Sequence, residues 1–144
     1  MRIFIDTNIL LDLFTGPTRP NYEHSARLIG ELRKQNKIQP LISVQSITDI
    51  SYTLTEKGQQ KRDHFYKTIK DLLGFITLVT ITPDESKKAL ADEPKDFEDH
   101  QQILCAEDNH CSWFVTGDKK LIKRYNESNE HIQAITPEDF IELS

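Results

Sequence analysis

Short apolar runs alternate along the chain with stretches in which apolar residues recur every three or four positions. Arg2-Ile3-Phe4-Ile5 is too short for a self-burying helix and is rich in β-branched and aromatic residues, so it predicts a strand. Ile9, Leu10, Leu13 and Phe14 then recur at helical spacing behind Thr7 and Asn8, both residue types that cap helix N-termini. Gly16-Pro17-Thr18-Arg19-Pro20 breaks the chain, and Tyr22, Ala26, Leu28, Ile29 and Leu32 predict a helix over about residues 21 to 36. Pro40 to Ser43 reads as a very short strand. Val44, Ile47, Ile50 and Leu54 continue as a helix that Gly58 ends or interrupts, and Phe65, Ile69, Leu72 and Leu73 mark another, stopped at Gly74.

Phe75 to Thr82 (FITLVTIT) is the clearest strand signal in the sequence, and Pro83-Asp84-Glu85 opens a helix. Residues 96 to 110 read as a helix and Ser112 to Thr116 as a buried strand closed by Gly117-Asp118. A basic helix follows. Ile132 to Ile135 makes a last short strand, and Thr136-Pro137-Glu138-Asp139 caps a final helix ending near Leu143. Strands alternating with helices predict an α/β fold, a three-layer α/β/α sandwich with a central parallel sheet, formed as a single domain over residues 1–144. The pattern leaves the strand order open.

Composition changes this picture little. Hydrophobic residues make up 37% and charged residues 28%, which fits a globular chain and not a disordered one. No apolar run approaches a membrane span and the first residues carry no leader pattern, so no membrane association is expected. Cys105 and Cys111 form no C-x-x-C pair and suit free thiols in a reducing, cytoplasmic setting. The net charge of −5 argues against a protein that coats nucleic acid, yet carboxylates that hold divalent cations are neutralised once loaded. Local basic runs exist: Lys119, Lys120, Lys123 and Arg124 form one, and Arg33, Lys34 and Lys37 another.

The candidate chemistry lies in the carboxylates. Asp6 ends the first strand and precedes a helix, which in an open α/β sheet is the edge where ligands bind; the plainer alternative is a helix cap. In DFEDHQQILCAED, Asp99 stands four and seven positions before Ile103 and Ala106, on the inward face of the first helical turn. Asp96 lies nearly on the same face and, like Asp99, has helix capping as its plainer alternative. Asp118 closes SWFVTGD as Asp6 closes the first strand, with Thr116 near enough to hydrogen-bond a neighbouring carboxylate; a turn or cap aspartate is the alternative. Asp49 sits about 100° round its helix from Ile47, Ile50 and Leu54, at the rim of a cleft or simply in solvent.

Carboxylates gathered at one sheet edge repel, and a hard divalent cation with oxygen ligands relieves that repulsion. A Mg²⁺ or Mn²⁺ site of this kind activates water and polarises phosphodiesters. Neither G-x-G-x-x-G nor G-x-x-x-x-G-K-[ST] is present, and no G-x-S-x-G elbow, so nucleotide cradling and serine hydrolysis are not indicated. His100, Cys105, His110 and Cys111 fit no standard zinc spacing. His24, His64 and His131 are isolated in polar segments and are expected at the surface.

IDTNILLDL, SITDISYTL, DFEDHQQILCAE, FVTGD and the closing ITPEDFI, in that order, resemble the PIN-domain family through nearly the whole chain. The resemblance implies a metal-dependent nuclease built on a parallel sheet between helices. Many members of the family are VapC-type toxins that cleave RNA and are silenced by an antitoxin. By position, Asp6, Asp49, Asp99 and Asp118 match the acidic quartet, with Asp6, Asp99 and Asp118 as metal ligands for Mg²⁺ or Mn²⁺. Asn8 and Thr116 match supporting polar residues, with Asp96 or Glu98 able to supplement or replace Asp99. Asp49 replaces the more usual glutamate, and His100 stands where a small alanine is common. Lys119, Lys120, Lys123 and Arg124 follow directly on a candidate ligand and are placed to meet RNA phosphates. The expected function is a metal-dependent ribonuclease, the toxin half of a toxin–antitoxin pair, with an RNA substrate, an antitoxin partner and homodimerisation left open. The alternative is a PIN-like module with a degenerate site that acts by binding protein or RNA.

Overall fold

The computed structural model describes residues 1–144. Five strands form one all-parallel sheet: β1 (Arg2–Ile5), β2 (Gln39–Ser43), β3 (Thr77–Val79), β4 (Trp113–Val115) and β5 (Gln133–Ile135), in the order β3-β2-β1-β4-β5. Eight helices accompany them: α1 (Thr7–Thr15), α2 (Tyr22–Arg33), α3 (Val44–Leu54), α4 (Gln59–Leu72), α5 (Pro83–Asp92), α6 (Phe97–Asp108), α7 (Lys119–Ser128) and α8 (Pro137–Leu143). No helix is long and apolar enough to cross a membrane.

The three layers follow from the period-two alternation of the strands. Ile3 and Ile5 of β1, Ile42 of β2, Val115 of β4 and Ile135 of β5 enter one core, with side chains of α1 to α4 and Phe140 of α8. Their neighbours Phe4, Leu41, Phe114 and Ala134 point to the other face and pack with Ile103, Cys105 and Ala106 of α6 and Leu121 and Tyr125 of α7. Phe4 and Phe114 stack across the β1–β4 pair at a 5.8 Å ring separation. Both cysteines are buried and free.

The strand order decides where the site lies. From β1 the chain steps outward through β2 to β3, then crosses to β4 on the opposite side of β1 and steps out to β5. The order therefore reverses between β1 and β4, and a crevice opens beyond their carboxyl ends, the position at which ligands bind in open parallel sheets. Backbone bonds extend the ladder into it, from the Asp6 amide to the Val115 carbonyl (3.0 Å) and from the Thr116 amide to the Ile135 carbonyl (2.9 Å).

Several expectations change at this stage. The Phe75–Thr82 strand contracts to Thr77–Val79. Phe75 and Ile76 are spent on closing α4, both amides bonding the Leu72 carbonyl, and Thr82 is already the cap of α5. That cap is a full capping box with Glu85, which explains the firm start read at Pro83. The second helix runs Tyr22–Arg33 and not to residue 36, because Gln35 folds its side chain back onto the Leu32 and Ile38 carbonyls. The N-cap position of α1 belongs to Asp6, not to Thr7 or Asn8, and both of those residues are inside the helix.

Candidate active site

Asp6 is delivered to the crevice by β1 and is almost wholly buried, at 1% exposure. Although it occupies the N-cap position of α1, its side chain makes no capping hydrogen bond. Its carboxylate is engaged elsewhere: the Thr116 hydroxyl donates to Oδ2 at 2.8 Å, and the Gln102 amide approaches Oδ1 at 3.4 Å. Burial pushes its pKa up to about 6, with the Thr116 bond the largest influence in the other direction.

Asp99 lies in the first turn of α6, half-buried, one turn before Ile103. Burial, then the charges of Asp6, Asp96 and Asp118, push its pKa up to about 8. The carboxylates that raise it come from three separate places in the chain, the end of β1, the start of α6 and the start of α7. Asp96 and Asp118 both turn out to be caps. Asp96 accepts from the Asp99 amide at 3.0 Å, and Asp118 accepts at Oδ1 from the amides of Lys120 and Leu121 at 3.0 and 3.1 Å. The capping alternatives are thus realised for these two, although each carboxylate still faces Asp99. Thr116 organises the turn as well, its hydroxyl accepting from the Asp118 amide at 3.1 Å.

Asp49 occupies the rim of a small polar cleft of about 220 Å³, lined with Glu98, Gln45, Gln101, Gln102, Thr7, Ser43 and Ser46. Glu98 sits between Asp49 and Asp6: partial desolvation, then the charges of Asp49 and Asp6, raise its pKa. Asp49 is exposed and joins the site through Glu98, which fits a side chain one methylene shorter than glutamate. Asn8 is exposed and makes no side-chain hydrogen bond. Lys119, Lys120, Lys123 and Arg124 are all exposed on α7, starting directly beside Asp118.

Gln102, Ser43 and Ser46 carry no motif that marks them in the sequence. For Gln102 the signal is one turn from Asp99 and next to Ile103: a polar residue on the inward face of α6. His131 is the other correction, being half-buried and not isolated at the surface. Its Nδ1 meets Glu107 at 3.0 Å, and its ring packs edge-on against His100 and Tyr125. These rings line a separate cleft of about 610 Å³ with Lys88, Lys95 and Arg124, and none of the four candidate aspartates borders it.

No three acidic, histidine or cysteine side chains form a ready-made metal cage. The donor set still fits a hard divalent cation, being all oxygen and mutually repelling. Mg²⁺ keeps several waters and is commonly held by one or two carboxylates together with substrate phosphates, so it needs no closed protein cage.

The profile of the PIN domain family matches residues 2–120. The chain belongs to the PIN domain family. Solved structures share the fold at low sequence identity. The sarcin-ricin loop cleaving toxin VapC20 of Mycobacterium tuberculosis superposes with a TM-score of 0.66 at 14% identity, over 91% of this chain and 97% of that one. VapBC-1 of nontypeable Haemophilus influenzae gives 0.65 at 16% identity, over 95% and 98% of the two chains. VapBC2 of Rickettsia felis, solved bound to a DNA fragment from its promoter, gives 0.63 at 14% identity, over 94% and 98%. No curated protein matches the chain.

Proposed function

We propose that this PIN domain is a Mg²⁺- or Mn²⁺-dependent endoribonuclease, the toxin of a toxin–antitoxin pair acting in the cytoplasm. The observation that carries the reading is the carboxylate set at the crevice, with Asp6 buried at the end of β1 and bonded by Thr116, and Asp99 and Asp118 at the starts of α6 and α7. Burial first, then the charges of Asp6, Asp96 and Asp118, push Asp99 up to about 8. Carboxylates crowded in this way repel one another beyond what their caps and hydrogen bonds offset, and they supply oxygen ligands to a cation.

In this reading Asp6, Asp99 and Asp118 hold the ion. When bound, it supplies a polarised phosphodiester and a water of lowered pKa. The protein's own residues do the rest. Thr116 fixes the Asp6 carboxylate and the Asp118 turn together, through one hydroxyl that donates to the first and accepts from the second. Asp118 is aimed by its capping bonds to α7. Asp49 and Glu98 extend negative charge along the crevice, where they can accept a proton from water or orient it. Lys119, Lys120, Lys123 and Arg124 hold phosphates flanking the cut. An antitoxin would silence the site by placing an arginine or lysine among the carboxylates.

The deciding experiment is cleavage of single-stranded RNA with Mg²⁺ or Mn²⁺, with EDTA, and with Asp6→Asn. Cleavage should need the metal, stop in chelator, and fall at least about 100-fold in the variant, which lacks a ligand charge. Expression of the wild type, and not of an Asp6→Asn, Asp118→Asn variant, should slow growth of a host without the antitoxin. The absence of a closed three-ligand cage favours one second reading, a PIN domain that binds RNA or protein without cutting. Undiminished RNA binding with no cleavage in either metal would establish that reading.

A further inference from the structure

We propose that Gln102 is a positioning residue that sets the Asp6 carboxylate for the cation, acting with Thr116 as the second jaw of a clamp. The inference rests on the cation-dependent reading above. Gln102 is 2% exposed, on a helix face otherwise filled by Ile103 and Ala106. A buried primary amide is costly unless its polar atoms are engaged. The engagements of this one lie wholly at the site: Nε2 donates to Asp6 Oδ1 and Oε1 accepts from Thr7 Oγ1, each at 3.4 Å. An apolar side chain of the same length would fill the space without that cost, so packing alone does not account for the amide.

The orientation of the amide is fixed from both ends. Turning it over would set its carbonyl against a carboxylate oxygen. On its far side, Thr7 Oγ1 lies 2.6 Å from Ser46 Oγ, and Ser46 Oγ lies 3.0 Å from Ser43 Oγ. Ser43 is the cap of α3, accepting from the Ser46 amide. A line of buried hydroxyls thus ties the start of α3, through Gln102, to Asp6. Thr116 comes from the end of β4 and holds the other oxygen of the same carboxylate. Asp6 is gripped between the two sides of the sheet, one carboxylate oxygen held from each. The Gln102 contacts are long for hydrogen bonds.

Residues that orient a metal ligand through a hydrogen bond typically contribute about 10- to 100-fold in affinity. The test uses the full chain with Gln102→Met, which keeps length and loses the donor, and with the pair Thr7→Val and Thr7→Ser. Mn²⁺ affinity is measured by calorimetry, metal-free melting by circular dichroism, and RNA cleavage as kcat and KM against Mn²⁺ concentration. Gln102→Met should bind Mn²⁺ about 10- to 100-fold more weakly, with kcat recovering as Mn²⁺ saturates and KM for RNA unchanged. Thr7→Val should weaken Mn²⁺ binding and Thr7→Ser should restore it, which keeps the test decisive if Gln102→Met fails to fold. Wild-type Mn²⁺ affinity in folded Gln102→Met, or equal weakening in Thr7→Val and Thr7→Ser, would overturn the clamp and leave the nuclease reading standing. No Mn²⁺ binding by the wild type would overturn both.

Discussion

The Thr116 hydroxyl reaches the Asp6 carboxylate across 110 positions of sequence with a 2.8 Å hydrogen bond, and the same oxygen accepts from the Asp118 amide. One buried side chain thus joins the Asp6 carboxylate to the backbone of the Asp118 turn, at the switch point of the sheet. Thr116→Val keeps the shape and removes both bonds, leaving a buried acceptor without its donor. Thr116→Ser keeps the hydroxyl. RNA cleavage at fixed Mn²⁺ should fall about 10-fold or more in the valine variant, the scale on which groups that orient a ligand act, and stay near wild type in serine. Equal loss in both variants would assign the effect to the methyl group and to packing.

The acidic crevice predicts an unusual pH dependence of stability. Folded-state values of about 6 for Asp6 and about 8 for Asp99 lie above the ordinary carboxyl value. A carboxyl raised in this way binds more protons folded than unfolded. Its contribution to stability is present at low pH and is lost as pH rises from the unfolded value to the folded one. The window therefore runs from about pH 4 to about pH 8. Asp71 and Asp92, held low by Arg33 and His100, act in the opposite sense but below that window. Metal-free protein should melt at a lower temperature at pH 8 than at pH 5.5, and Asp99→Asn should flatten the slope. Saturating Mn²⁺ should raise the melting temperature most at pH 8, by mass action on the folded state. The Asp6→Asn, Asp118→Asn variant should show little metal response. A metal-free melting temperature that climbs steadily to pH 8 contradicts the account.

The basic face of α7 gives a separate test of substrate contact. Lys120 and Lys123 are exposed and make no ion pair with an acidic residue, so reversing their charge disturbs no internal bond. Lys120→Glu with Lys123→Glu should weaken binding to uncleavable RNA and lower the dependence of log affinity on log salt by about 0.7 per lost phosphate contact. Binding curves at several salt concentrations measure this directly. An unchanged slope would make the run a solvated surface.

The strands and helices are legible in the sequence because each leaves a local mark, and the acidic positions are readable as candidates on the same ground. Period-two alternation separates Phe4 from Ile3 and Ile5, Asp6 follows a buried strand at once, and Asp118 follows another after a short turn. The failures have a common cause in partners distant along the chain. Phe75 and Ile76 look like strand residues, but helix closure takes their amides. Asp96 and Asp99 have the same local credentials; only the packed structure shows Asp96 capping α6 and Asp99 raised by burial and by the charges of Asp6, Asp96 and Asp118. Gln102 has no motif signal, only its place as a polar residue on the inward face of α6, and its partner Asp6 appears only when β1 and α6 are packed. The surroundings of His131 are hidden in the sequence for the same reason, since its neighbours His100 and Tyr125 come from α6 and α7.

His100 separates support from chemistry, because it directly follows Asp99 but faces away from the acidic crevice. It is 5% exposed, with Nδ1 at 2.6 Å from the Tyr125 hydroxyl and Nε2 at 2.8 Å from Asp92. Its ring also stacks on Tyr125 at 5.8 Å. These contacts join α5, α6 and α7, and burial pushes Tyr125 up to about 12, so the phenol stays a neutral partner. His100→Ala would remove the ring, open a cavity and strand the Tyr125 hydroxyl, at a cost of about 2–4 kcal/mol by the usual large-to-small and unpaired-group penalties. Tyr125→Phe removes only the hydroxyl and should cost about 1 kcal/mol. Denaturant melts give both numbers. If His100 supports the fold alone, cleavage by folded His100→Ala at saturating Mn²⁺ should remain close to wild type. A large loss of kcat with unchanged stability would instead bring His100 into the catalytic set.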